Sequence, residues 1–148
     1  MIVIIDLENT LSNPKHRMEI LYKSKLKCIS DETKISLKKS FQNEFSNDLV
    51  NNNVKKFMDS IYENKYNVII LTAKLESYKE IVKLWLTRHK IKYHKLVMKD
   101  NYFQSDIEFK REFAIKNIKE IVFAIDDVGE NCKMFTEIGI PSLRIEQK

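Results

Sequence analysis

The chain has 148 residues, 43% of them hydrophobic and 32% charged, with a net charge of +5, which suits one domain whose core needs no covalent staples. Its two glycines, Gly129 and Gly139, exclude the clustered-glycine loops that cradle nucleotide phosphates, and Cys28 and Cys132 lack the partner clusters of a disulfide framework or a zinc site. The longest aliphatic run, Ile2 to Ile5, falls far short of the roughly 20 residues of a membrane helix, and no basic-then-apolar leader precedes it, so a soluble, cytoplasmic protein is expected.

Ile2 to Ile5 is an apolar, β-branched run that stops at Asp6. After it, Met18, Leu21, Tyr22 and Leu26 fall at helical spacing, and Leu37, Phe41 and Phe45 do so again, with a turn at Ile29 to Asp31 between them. A third stripe uses Val50, Val54, Phe57, Met58 and Ile61. Asn67 to Leu71 then repeats the apolar run of the first strand with Val68, Ile69, Ile70 and Leu71, and stops at Thr72. Tyr78, Ile81, Val82, Trp85 and Leu86 form the next helical stripe, with Trp85 expected in the core. A weaker strand at Leu96 to Met98, a helix from Asp106 to Ile118 and a strong strand at Ile121 to Ile125 follow, the last stopping at Asp126. The final stripe of Cys132, Phe135 and Ile138 meets a Gly139 and Pro141 stop, before a last weak strand at Ser142 to Ile145.

Continuous apolar strands alternating with helices predict an α/β fold, a three-layer sandwich around a parallel, Rossmann-like sheet. About 60 residues separate the first two strands, far more than a crossover helix requires. Residues 12–48 are therefore expected to form a small helical cap inserted after the first strand of a single domain spanning 1–148. Residues 15–39 hold eight lysines and arginines against three carboxylates, so this stretch of the insert matches the whole net charge of +5 and offers a surface for anions.

Ligands of open parallel sheets bind outside the carboxyl ends of the strands, near the point where strand order reverses. The polar residues at those ends are Asp6 and Glu8, Thr72 and Lys74, and Asp126 and Asp127. Four carboxylates brought together would repel unless a hard cation sits among them, which predicts a Mg²⁺ site. A neighbouring hydroxyl and lysines suit the oxygens of a phosphoryl group.

These residues resemble the motifs of the haloacid dehalogenase (HAD) superfamily. Asp6-Leu7-Glu8-Asn9-Thr10 is similar to its D-x-D-G-T motif, Leu71-Thr72-Ala73-Lys74 to its second, Lys110 to its third and Asp126-Asp127 to its acidic fourth. Leu11-Ser12-Asn13, His16-Arg17, Leu96-Val97-Met98-Lys99 and Asp106-x-x-x-Lys110 further resemble small phage and bacterial relatives of the phosphatase half of polynucleotide kinase-phosphatase. The resemblance implies that Asp6 attacks the phosphoryl group, Glu8 moves the proton, and Thr72 and Lys110 hold the transferring group. It implies Asp6, the Glu8 backbone carbonyl, Asp126 and Asp127 as the Mg²⁺ ligands, and Asn9, Thr10, Ala73 and Lys74 as phosphate-binding positions. His16 and Arg17, read as a surface pair at the mouth of the cap, are candidate substrate contacts.

Three residues depart from the pattern. Glu8 is one methylene longer than the usual aspartate, which displaces the proton carrier. Asn9 replaces glycine but tolerates a left-handed backbone. Ala73-Lys74 replaces Gly-Arg, keeping charge without bidentate geometry. The expected function is a Mg²⁺-dependent phosphatase acting on a nucleotide or a nucleic-acid 3′-phosphate end, with Tyr22, Phe41, Phe45, Tyr102 and Phe103 available to stack on a base. The alternative is a low-turnover phosphate- or nucleic-acid-binding module that retains the metal site.

Overall fold

The computed structural model describes residues 1–146. In β1 (Ile2–Ile5) every side chain is buried, and successive residues supply opposite layers of the core. Val3 and Ile5 pack with Val54, Met58, Trp85 and Leu86, whereas Ile2 and Ile4 pack with Ala114, Met134 and Phe135. A strand covered on both faces has no solvated side, which is why this segment reads as a continuous apolar run.

The chain then forms β2 (Ser12–Asn13), α1 (Met18–Ser24), α2 (Asp31–Asn43) and β3 (Leu49–Val50), with β2 and β3 paired antiparallel at the base of the insert. It continues through α3 (Asn52–Glu63), β4 (Asn67–Leu75), α4 (Lys79–Arg88), β5 (Lys95–Lys99), α5 (Asp106–Lys116), β6 (Ile121–Asp126), α6 (Gly129–Glu137) and β7 (Ser142–Arg144). β1, β4, β5, β6 and β7 form one parallel sheet in the order β5-β4-β1-β6-β7. The chain moves outward from β1 through β4 to β5, then crosses back to β6 on the other side. Strand order therefore reverses at the β1/β6 crevice, where the Asp6 N–H donates to the Ile125 carbonyl at 2.9 Å. No helix among the described residues is long and apolar enough to cross a membrane.

The strands and helices fall where the apolar patterns place them, with two differences. β4 continues past Thr72 to Leu75, because its pairing with β5 resumes after an irregularity, with Leu75 opposite Lys99. Ala73 and Lys74 thus belong to a strand end rather than to a free loop. In the insert, Tyr22 and Leu26 stay exposed, and only Phe41 and Phe45 of the cap stripe are buried. Two short helices lying over a sheet end have one packed side, which is too little to cover both stripes.

Candidate active site

Asp6 follows the last residue of β1 and is almost wholly buried. The turn beyond it is closed by the N–H groups of Leu11 and Ser12, which donate to the Leu7 carbonyl at 2.9 and 2.8 Å. Asn9 takes φ 60°, the left-handed conformation that asparagine tolerates better than most side chains. Across the crevice, β6 ends at Asp126, whose Oδ1 accepts from the Val128 N–H at 2.9 Å and the Asn131 amide at 3.1 Å. Lys110 arrives from α5, whose start is fixed by a Ser105–Glu108 capping box. Its Nζ donates to Asp6 Oδ1 and to Asp126 Oδ2, each at 2.6 Å.

Oxygens of Asp6, Asp126 and Asp127 all lie within 4.8 Å of one another. Burial, reinforced by Asp126 and Asp127 and opposed by Lys110, raises the Asp6 carboxyl to about 7. Burial and Asp126 raise Asp127 to about 6. Burial works against the Lys110 ammonium, yet Asp6 and Asp126 outweigh it and hold the lysine above its ordinary value. One lysine thus faces three clustered carboxylates, two of which resist ionisation. That uncompensated, oxygen-only donor set fits a hard divalent cation.

Glu8 stands outside this cluster. Its Oε1 accepts from Arg17 Nη2 at 2.7 Å and Lys74 Nζ at 3.3 Å. Burial pushes the Glu8 carboxyl upward, but Lys74 and Arg17 outweigh burial and hold it below the ordinary glutamate value. Lys74 also donates to the Gln42 side chain and lies over the Phe45 ring, 4.7 Å from its centroid. Burial holds its ammonium below the ordinary lysine value, against the pull of Glu8. Thr72 Oγ1 accepts from the Lys74 N–H at 3.2 Å, which fixes the hydroxyl at the end of the strand.

The reading of Arg17 as a surface residue is corrected by the structure. Arg17 is fully buried, with Nε and Nη2 on the two oxygens of Asp48 at 2.6 and 2.7 Å and Nη1 on the Phe41 carbonyl at 3.0 Å. It binds the cap to the turn after β1 and does not line the cavity over the site. His16 also lies off that cavity, with Nδ1 3.8 Å from Asp48 Oδ1. Thr10 is buried and is likewise absent from the lining. Of the expected metal ligands, Asp6, Asp126 and Asp127 bring side-chain oxygens together, whereas the Glu8 carboxylate is turned to Arg17 and Lys74.

The cavity measures about 860 Å³ and joins Asp6, Glu8, Asn9, Thr72, Ala73, Lys74, Lys110 and Asp127 in one space roofed by the cap. Sequence reasoning missed Asp48, which sits in a connecting segment with no motif to flag it. It also missed Asn131, for which a signal existed: an amide on the inward face of a helix, one position before the buried Cys132. Gln42 carried no signal, because its partner Lys74 is 32 residues away.

A parallel sheet with this strand order, a cap after the first strand and carboxylates at the switch point is the architecture of HAD hydrolases, and solved structures of that class superpose on it. A Clostridium difficile protein described as a putative phosphatase is 15% identical at a TM-score of 0.68, covering 97% of this chain and 83% of that one. A HAD family enzyme from Bacteroides thetaiotaomicron, solved with magnesium and inorganic phosphate, is 15% identical at a TM-score of 0.57, covering 98% and 93%. The structure of a Pnkp1/Rnl/Hen1 complex contains a chain 25% identical at a TM-score of 0.72, with 97% of this chain covered. This chain spans only 45% of that relative's length. No curated protein sequence matches the chain. The family model of the polynucleotide kinase PNKP phosphatase domain matches residues 33–148, and the chain belongs to that family.

Proposed function

We propose that the protein is a Mg²⁺-dependent phosphatase that hydrolyses a phosphomonoester through an aspartyl phosphate, on a nucleic-acid 3′-phosphate end or a nucleotide. The observation that carries this reading is the buried Asp6–Lys110–Asp126 triplet at the sheet's switch point, with both contacts at 2.6 Å. The magnesium and phosphate in the Bacteroides thetaiotaomicron neighbour support it. Asp6, Asp126, Asp127 and the Glu8 backbone carbonyl would hold the ion, which when bound offsets carboxylate and phosphoryl charge.

An Asp6 oxygen forms a bond to phosphorus as the bond to the leaving oxygen breaks, and water then cleaves the acyl phosphate to free inorganic phosphate and restore the carboxylate. Lys110 and Thr72 supply donors for the phosphoryl oxygens. Glu8, kept ionised by Arg17 and Lys74, is suited to take the proton from the attacking water in the second step. The same pairing leaves it without a proton for the leaving oxygen in the first step, so that oxygen takes its proton from solvent water. That observation favours a second reading, a binding module that turns over poorly.

The experiment is phosphate release by wild type and Asp6→Asn, with and without Mg²⁺, on 5′- and 3′-nucleoside monophosphates and 3′-phosphorylated oligonucleotides. Release that requires both Mg²⁺ and Asp6 supports the phosphatase, and the preferred substrate separates a nucleotide from a polymer end. A folded protein that binds Mg²⁺ and releases no phosphate from any of these supports the binding module.

A further inference from the structure

Tyr102 and Phe103 lie in the segment between β5 and α5 with most of their surface in solvent, 69% and 93% exposed, their rings edge to face at 5.7 Å. Bare aromatic rings lose apolar area to water, and here the surrounding chain is built to hold them. Asn101 Oδ1 accepts from the Phe103 N–H at 2.9 Å, and Lys99 Nζ fastens the segment by donating to the Gln104 carbonyl and the Asp106 carboxylate. The ordering entropy of the segment is thus spent before any ligand arrives.

Tyr102 lines the same cavity as Asp6, and so does the cap residue Ile35, itself 55% exposed. Beside Ile35, Lys38 and Lys39 also face the cavity, and the cap contributes no carboxylate to the lining. The cap side of the cavity therefore combines an aliphatic face and two cations opposite the aromatic face of Tyr102, while the lining carboxylates lie on the strand ends and on α5 and α6, with Asp106 paired to Lys99. A sugar phosphate, polar throughout, would use the cations and leave the apolar faces wet. A nucleotide uses both, since its base has a flat π-face and its backbone is anionic. The cavity volume of about 860 Å³ falls within the range of about 300–1,000 Å³ of small-ligand sites.

Building on the phosphatase reading, we infer that Tyr102 and Ile35 form a clamp for the base of the nucleotide that carries the scissile phosphate, with Lys38 and Lys39 beside the nucleic-acid backbone. Stacking is indifferent to base identity, so the clamp selects nucleotides over other phosphate esters without reading sequence.

The test compares KM on two 3′-phosphorylated oligonucleotides that differ only in whether the terminal nucleotide keeps its base or is abasic, using the full chain with Mg²⁺. Wild type is expected to prefer the base-bearing end by roughly tenfold, the ratio that an aromatic–base stack of about 1.4 kcal/mol provides. Tyr102→Ala brings the ratio close to one, and Tyr102→Trp restores it, a rescue that a merely structural role would not show. Absence of a preference in wild type, or a preference that survives both Tyr102→Ala and Ile35→Ser, overturns the clamp. If wild type releases phosphate from neither oligonucleotide, the reading of a nucleic-acid end as substrate fails separately, and release from nucleoside monophosphates decides the phosphatase reading. Equilibrium binding of the same two oligonucleotides then decides the clamp, unequal affinities sustaining it and equal affinities overturning it.

Discussion

Replacing Asp6 by asparagine should abolish phosphate release and make the metal-free protein more stable. The Asp6 carboxyl rises from an ordinary 3.8 to about 7 in the fold, chiefly through burial. A carboxyl raised on folding contributes stability that is fully present below its unfolded value and is lost as pH rises through its folded value. At pH 8 the ionised carboxylate therefore costs up to about 4 kcal/mol, taking about 1.4 kcal/mol per pH unit. Asparagine keeps an oxygen for Lys110 but weakens a charge-assisted bond, which returns roughly 2 kcal/mol of that gain. The net expectation is about 2 kcal/mol, or roughly 4–8 °C in Tm for a domain of this size. Thermal unfolding in EDTA, at pH 8 and again near pH 4, measures it, and the advantage should shrink toward the acid end. An Asp6→Asn protein as stable as wild type at pH 8, or less stable, would refute the account of a strained carboxylate cluster.

Three further outcomes are expected. Mg²⁺ affinity should rise between pH 6 and pH 8, because Asp6 and Asp127, raised to about 7 and about 6, must lose protons to serve as ligands; calorimetry in buffers of different ionisation enthalpy would register the released protons, and a flat profile would contradict this. Lys110→Met removes the cation between Asp6 and Asp126 and should cost about 3–5 kcal/mol in denaturant unfolding without Mg²⁺, as well as turnover; a loss under 1 kcal/mol would mean that the carboxylates do not need it. Arg17→Lys should behave like a loss rather than a conservative change, lowering stability by a few kcal/mol, since an ammonium cannot span both Asp48 oxygens, Glu8 and the Phe41 carbonyl. A wild-type melting curve for Arg17→Lys would show that this network does not secure the cap.

The sequence by itself determined the layers and the polar residues at the strand ends beneath the cavity. Strands buried on both faces leave continuous apolar runs, helices leave stripes, and both periods are local properties of the chain. The end of such a run is where a strand meets solvent, so Asp6, Thr72 and Asp126 could be located before any contact was known. Folding decided what is not local. Arg17, which reads as a surface residue beside His16, is buried because Asp48, 31 positions away, accepts both of its forked donors. Glu8 leaves the carboxylate cluster because Lys74, 66 positions away, reaches it, and Lys110 joins Asp6 across 104 positions. Such pairings depend on which strand ends the crossovers bring together and on how far the cap leans over them. Periodicity along one segment carries no information about either, so the charge states of the site belong to the tertiary structure alone.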